Sequence, residues 1–328
     1  MIDQKIKILS LDGGGIRGVF PAKILSLIEE EIGEGELHKH FNVICGTSTG
    51  GIIALAISLG VPAKEILQLY QENAKTIFGK KRNNIFKKAF YSNKPLEHLI
   101  RELFKKYHDG KNDPKIKDAK TKLLIPTYSL LEGSTQIIKT PHKEDLTTDQ
   151  HIPMYMVAMA TSAAPTFFNA YSGSYTKKET DSHSEDFSHK VDGGVFANNP
   201  SMIGIVEAQT RLQKDLSQIK MLSLGTGHRK YSQANSKKRW SVFYWIWKKR
   251  IIDLFMQSQS QITHNSVSVL SKFNNDFEYR RIDQSFDQNF NVKMDETNPD
   301  KLKKFIERSS RIFQTQKQDV LDTYFSNR

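Results

Sequence analysis

The stretch Phe41–Ile57, FNVICGTSTGGIIALAI, constrains what this chain folds into more than any other. Phe41–Cys45 is short, apolar and β-prone, and from Ile52 the apolar residues run on at a length suited to a buried helix. Between them, Gly46-Thr47-Ser48-Thr49-Gly50 spells G-x-S-x-G in a strand–turn–helix context. Glycines on both sides of Ser48 remove the Cβ atoms that would clash in a turn sharp enough to push its Oγ outward. The stretch therefore predicts a nucleophile elbow. The helix that follows aims its free N–H groups and positive dipole end at the hydroxyl.

The elements around the elbow alternate. Lys5–Leu11 reads as a strand and Val19–Ile32 as a helix, with helices again near Ala63–Ile77 and Lys94–Tyr107. Strand returns at Leu123–Leu131, turning through Glu132-Gly133-Ser134 into Thr135–Lys139. Met154–Ala164 is helical up to Pro165, whereas Tyr171–His189 is polar and Ser-rich and reads as a surface loop or flap. A short strand at Lys190–Asp192 leads to a helix at Pro200–Leu212 capped by Asn198 or Asn199, then to a strand at Ile219–Leu224. Beyond Arg229 the pattern is helical, with one strand near Phe277–Ile282. Such alternation predicts a three-layer α/β/α sandwich with a mostly parallel central sheet and a helical C-terminal part.

The first strand ends in Asp12-Gly13-Gly14-Gly15-Ile16-Arg17-Gly18. Gly13-x-Gly15-x-x-Gly18 is also the spelling of a dinucleotide fingerprint, but that fold wants a second strand ending in an acid about twenty positions on. Here Glu29, Glu30 and Glu31 fall at the end of a helix and the next strand delivers Ser48. A Walker loop fails for want of a G-K-[ST] ending. Three consecutive glycines beside an activated serine suit an oxyanion hole, in which backbone N–H groups converge on one point.

Ser48 needs a base, and Asp192 stands in VDGG at a strand end, followed by Gly193 and Gly194. A carboxylate is a weak base in water, yet desolvation raises its pKa, and within reach of Oγ it accepts the proton directly. A rival is a Ser-His-Asp esterase, because Ser48, Asp192 and His228 occur in the α/β-hydrolase order. A third reading is a non-catalytic module binding lipid or nucleotide. The ten histidines are scattered, without H-E-x-x-H or an EF-hand loop, and His38-x-His40 reads as a surface pair, so metal-independent chemistry is expected.

Hydrophobic residues at 38% against 26% charged exclude a disordered chain. The single cysteine, Cys45, falls inside a strand and fits a reducing compartment. The N-terminal apolar run is too short for a signal peptide and no apolar stretch reaches the roughly 18 residues of a membrane span, so a cytoplasmic protein is expected. Net charge is +12, with two stretches, Glu72 to Glu97 and Asp215 to Asp253, holding Lys and Arg but no acid in between. These suit an anionic membrane surface or a nucleotide; no nucleic acid polymer is expected as partner. Monomer and homo-oligomer both stay open.

DGGGIRG at 12–18, GTSTG at 46–50 and DGG at 192–194, in that order, resemble the patatin-like phospholipases, as do SAAP at 162–165 and DGGVFANNP at 192–200. The resemblance spans roughly residues 5–230 and leaves 231–328 as a mainly helical extension. It implies Ser48 as nucleophile and Asp192 as base of a Ser–Asp dyad that cleaves acyl esters of membrane glycerophospholipids to fatty acid and lysolipid. It places the oxyanion hole at Gly13, Gly14, Gly15 and Arg17, with the Thr49 N–H added by the elbow. All three tryptophans, Trp240, Trp245 and Trp247, lie in KKRWSVFYWIWKKR, a segment suited to a membrane interface, a nucleotide pocket or a cover over the serine. Size and a basic helical C-terminal part resemble the bacterial antiviral (antiphage) defence phospholipases activated by cyclic dinucleotides. That likeness implies such an activator. The net charge draws the enzyme peripherally to an anionic inner membrane leaflet, and the restraint this calls for leads to the expectation that the serine is covered at rest by 171–189 or 240–247.

Overall fold

The computed structural model describes residues 5–79, 89–177, 182–229, 250–287 and 290–326. The chain opens with β1 (Ile6–Leu11), a 3₁₀ turn at Gly15–Gly18, α1 (Val19–Ile32), α2 (Leu37–His40), β2 (Val43–Gly46) and α3 (Thr49–Leu59). It continues through α4 (Ala63–Phe78), α5 (Lys94–Lys106), β3 (Lys122–Ser129), β4 (Ser134–Lys139) and α6 (Met154–Thr161). Then come β5 (Tyr171–Tyr175), β6 (Glu185–Asp192), α7 (Gly194–Ala197), α8 (Ser201–Thr210), β7 (Ile219–Leu224) and β8 (His228–Arg229). The last elements are α9 (Arg250–Phe273), β9 (Glu278–Ile282), β10 (Ser285–Phe286), α10 (Pro299–Gln314) and α11 (Lys317–Tyr324).

Eight strands form one sheet in the order β5-β6-β3-β2-β1-β7-β9, with β4 also paired to β3. From β3 to β9 the neighbours are parallel, Leu11 facing Gly46 on one side and Leu224 on the other, and Leu224 facing Ile282. A parallel sheet is covered on both faces, so its strands are apolar at nearly every position. Leu9, Leu11, Ile44, Leu123 and Leu222 face the larger core, filled from α1, α3, α4, α5 and α6 and, through Leu302, Phe305 and Phe313, from α10. Ile8, Val43, Cys45, Leu124 and Met221 face the other layer, built on Ile205 and Ala208 of α8 and Val267 of α9. This is the expected three-layer sandwich with a mostly parallel sheet and a helical C-terminal part. That part also donates β9 to the sheet edge.

The reading of Tyr171–His189 as a loop or flap is corrected. Tyr171–Tyr175 and Glu185–Asp192 are antiparallel strands at the sheet edge, and β6 pairs with β3 at Thr127–Ser129. Tyr171 and Phe187 turn inward and meet edge to face at 6.4 Å, while Ser172, Ser174 and Asp186 are exposed. With Tyr171 the one fully buried apolar residue of β5, and Phe187 and Val191 four positions apart in β6, little alternation is left to read. The Trp240–Trp247 segment lies outside the described residues. α6 stops at Thr161, short of Ala164, and α8 starts behind Pro200 as its N-cap, with the Asn199 side chain accepting the Ser201 N–H at 3.0 Å. Among the described residues no helix is long and apolar enough to cross a membrane.

Candidate active site

Ser48 sits between β2 and α3 with φ 55° and ψ −124°, outside the ordinary range for a residue with a side chain. The fold holds it there from three sides. Its N–H donates to Thr161 Oγ1 at 3.1 Å, and that hydroxyl donates to the Pro126 carbonyl at 2.7 Å. The preceding Thr47 N–H reaches the Leu11 carbonyl at 3.1 Å and its Oγ1 the Ala197 carbonyl at 2.6 Å. Gly46 must lack a side chain, because a Cβ there would lie 2.2 Å from the Gly50 carbonyl.

Asp192 ends β6 and is 1% exposed. Its Oδ2 accepts the Ser48 hydroxyl at 2.6 Å, and its Oδ1 accepts the Gly194 N–H at 2.7 Å. Burial pushes its pKa up to about 7, with the hydrogen bonds from Ser48 and Gly194 pulling the other way. A carboxyl poised there takes and returns protons near neutrality. Gly193 lies against the Pro126 carbonyl and lets the chain turn directly behind the carboxylate.

The glycine loop meets the elbow at Gly13, whose Cα faces the Ser48 Cβ, and at Gly18, packed on the Thr49 side chain. Its amides are not equivalent. Gly13 N–H donates to the Asn198 carbonyl at 3.0 Å and Arg17 N–H to the Gly14 carbonyl at 3.2 Å, so neither amide is available to an oxyanion. In this structure the Gly13 and Arg17 amides brace the loop. The Arg17 guanidinium holds the Gly14 carbonyl at 3.3 Å and Asp253 at 3.4 Å. Among the described residues the amides of Gly14, Gly15 and Thr49 have no hydrogen-bond acceptor. Gly15 adopts φ +59°, and Ile16 N–H is held by the Met294 carbonyl at 2.9 Å.

From Ser48 and Asp192 an apolar pocket runs inward between Tyr70, Ile77, Phe78, Leu96, Phe167 and Met256. Its free volume is about 40 Å³. At ~10–15 Å³ per water that space has room for a few water molecules. His228 is elsewhere: its Nδ1 faces Asp283 Oδ2 at 3.2 Å, while the Ser48 hydroxyl is directed at Asp192. The Ser-His-Asp order along the chain is therefore not assembled in space. Among the described residues no group of three or more His, Cys, Asp or Glu is placed to hold a metal.

Three supports escaped the reading of the sequence. Thr161 was seen only as a residue of an apolar helix. Asn198, whose Oδ1 is buried without a partner among the described residues, was weighed only as a cap. Asp12, at the root of the glycine loop, is gripped by Arg281 of β9 at 3.1 and 2.7 Å and by Ser260 of α9 at 2.7 Å. Arg281 also holds Asp283 at 2.9 Å and Ser223 at 2.8 Å. Burial drives the Asp12 carboxyl upward against the pull of Arg281. Burial acts on Asp283 too, but Arg281 and His228 outweigh it and hold that carboxyl well below the usual range.

A family model described as Patatin-like phospholipase matches residues 9–205. The chain is 31% identical over 281 residues to a cGAMP-activated phospholipase of Escherichia coli (strain TW11681), covering 80% of this chain and 74% of that protein. It is 32% identical over 258 residues to a cGAMP-activated phospholipase of Vibrio cholerae, covering 72% and 68%. Patatin-like protein 1 of Arabidopsis thaliana is 28% identical over 323 residues, covering 85% and 74%. Among solved structures, VipD from Legionella pneumophila aligns at TM-score 0.46 and 13% identity, covering 98% of this chain and 67% of that one. With its family model spanning more than half the sequence, the chain belongs to the patatin-like phospholipases, a family of lipid acyl hydrolases.

Proposed function

We propose that Ser48 and Asp192 are the whole proton-transfer unit of a phospholipase acting on membrane glycerophospholipids. The observation that carries this is the 2.6 Å hydrogen bond from Ser48 Oγ to a fully buried carboxylate. Ser48 Oγ attacks the ester carbonyl carbon and its proton passes to Asp192. The carbonyl oxygen becomes an oxyanion facing the amides of Gly14, Gly15 and Thr49, with the α3 dipole behind it. Collapse breaks the ester bond, and the lysolipid alkoxide leaves with the proton from Asp192. Water then attacks the acyl-Ser48, giving its proton to Asp192, and fatty acid is released as Ser48 recovers its own. No step asks for a metal.

We assign this chemistry to residues 5–230 and regulation to residues 231–328. Two relatives are named cGAMP-activated, which supports a cyclic dinucleotide as activator and a place in bacterial antiphage defence. The acid-free basic stretches suit both such a ligand and an anionic inner membrane leaflet. The narrow pocket fits a resting form that must widen before an acyl chain enters. Activation is then a population shift toward an open form that the nucleotide prefers. The test is fatty-acid release from phospholipid vesicles by the wild-type chain and Ser48→Ala, with and without a panel of cyclic dinucleotides at fixed salt. Release that depends on Ser48 and rises with one nucleotide is expected. Lipolysis by Ser48→Ala would overturn the chemistry, and equal activity throughout with no calorimetric binding would overturn the regulation.

A further inference from the structure

Helix α9 has an apolar face too many. Met256, Thr263 and Val267 form its buried side, against the site and the sheet. On the outside Phe255 is 62% exposed, Ile262 62%, Val269 50% and Phe273 88%. Spacings of seven, seven and four residues place these four on one stripe, drifting only about 20° per heptad. From Leu254 to Ser271 the helix contains no Asp, Glu, Lys or Arg. A solvated surface helix ordinarily carries charge opposite its buried face. This one offers uncharged Ser, Gln, Thr and Asn around bare apolar side chains, a surface that loses little on leaving water.

The stripe lies beside the chemistry. Met256, next in sequence to Phe255, lines the catalytic pocket, and its Cε stands where a side chain on Gly194 would begin. Packed against α9 is α7, the turn that follows Asp192, and it bears Val195 at 45% exposure. Resting on the phospholipase reading above, we propose that Phe255, Ile262, Val269 and Phe273 form the surface that seats on the phospholipid bilayer and brings the catalytic pocket to it. Ser48 is 4% exposed, so a lipid ester reaches it only if the protein settles into the interface. The net charge of +12 draws the chain to anionic headgroups, and the apolar stripe then supplies the short-range hold. Pairing with a second copy through this helix is disfavoured by its spacing. With Phe255, Ile262 and Val269 in one row of a heptad, the companion rows hold Ser258, Asn265 and Lys272, or Gln259, Ser266 and, at the helix end alone, Phe273.

The test compares wild type with Phe255→Ser/Ile262→Ser, both exposed positions, on vesicles of equal parts phosphatidylethanolamine and phosphatidylglycerol and on a monomeric short-chain ester. Co-sedimentation with vesicles should weaken by at least about tenfold in the double variant, and the ratio of vesicle to monomer hydrolysis should fall as far. Unchanged co-sedimentation and an unchanged ratio would overturn the proposal while leaving the phospholipase reading intact. Wild type cleaving neither substrate, and unlabelled by a fluorophosphonate, would instead overturn that reading. A dimer that the double substitution splits would assign the stripe to a second copy. A shift of tryptophan emission in the double variant without vesicles would assign it to the chain's own 240–247 segment, where all three tryptophans lie.

Discussion

Ser48 and Asp192, 144 residues apart in the chain, are joined by a 2.6 Å hydrogen bond in which the serine donates to a carboxylate with no histidine between them. The carboxylate's other oxygen is held by the Gly194 N–H, so Oδ2 is the one directed at the Ser48 hydroxyl. Two neighbours orient the pair without touching the reaction: Thr161 fixes the Ser48 amide, and Gly193 lets the chain turn behind Asp192.

A two-member unit predicts a specific mutational pattern. Ser48→Ala and Asp192→Asn should each lower kcat by about 10³-fold or more, and the double variant should be little worse than either, because members of one catalytic unit are not additive. His228→Ala should keep most activity, since its ring faces Asp283. Initial rates on a soluble ester decide the matter, and a near-complete loss in His228→Ala would transfer the proton to a triad.

The pH dependence follows from the Asp192 pKa of about 7. As a base it works when ionised, so kcat/KM should rise through an apparent pKa near 7 and level off above it. Stability runs the opposite way. Unfolded, the carboxyl ionises near 3.9, so between about pH 4 and 7 the folded chain retains a proton that the unfolded chain has lost, and this contribution falls as pH rises. At about 1.36 kcal/mol per pKa unit, roughly three units give at most ~4 kcal/mol. Asp192→Asn should therefore melt higher than wild type at pH 8, with the gap closing toward pH 4. A gap that stays constant across that range would mean the carboxyl is not held neutral by burial.

Gly15→Ala tests the oxyanion assignment. Its φ of +59° costs a residue with a Cβ about 1–2 kcal/mol, and that Cβ would lie 2.4 Å from the Met294 carbonyl, so the loop must shift. Loss of one aligned donor should lower kcat by about 10²–10³-fold with KM little changed. A variant with normal kcat and raised KM would show that Gly15 touches bound lipid and not the developing charge.

Why the elbow was legible and its supports were not comes down to sequence distance. β1, α1, β7 and the serine turn are local patterns: apolar runs, a helical period, glycines bracketing a serine. Only the end of β6, Lys190–Asp192, is legible; β5 and the start of β6 are not, because Tyr171 and Phe187 stand among Ser, Lys and His, and the pairing is decided by the edge of β3. Thr161 lies in an apolar helix, and nothing near it announces that its hydroxyl bridges Ser48, 113 residues back, to Pro126. The amides of Gly13 and Gly14 look identical in the sequence. Only the Asn198 carbonyl, brought in by the turn after the base, separates the bracing one from the free one.

Asp12 and Arg281 are farther apart still, 269 residues, and their pairing predicts how the C-terminal part serves the site. Asp12 precedes the three glycines, and Arg281 lies on β9, beyond the 9–205 span that the family model matches. Removing the guanidinium would leave Asp12 buried without its counter-charge and Asp283 with His228 alone, so Arg281→Gln should cost about 3–5 kcal/mol of stability. The cost should depend on pH with a defined sign. Burial already raises the Asp12 pKa, and without Arg281 it must rise further. An acid raised on folding destabilises increasingly as pH climbs above its unfolded value near 3.9, so the melting gap to wild type should widen from pH 4 to 8. Asp12→Asn/Arg281→Gln, which removes one buried charge along with its partner, should recover part of the loss. Thermal melts of wild type, Asp12→Asn, Arg281→Gln and the double variant at both pH values measure this, and a loss independent of pH and not recovered in the double variant would mean that Arg281 acts through packing alone. If the charge pattern holds, the glycine loop is anchored electrostatically from outside the matched region, and a chain cut near residue 230 should keep Ser48 and Asp192 yet lose the anchor of its oxyanion loop.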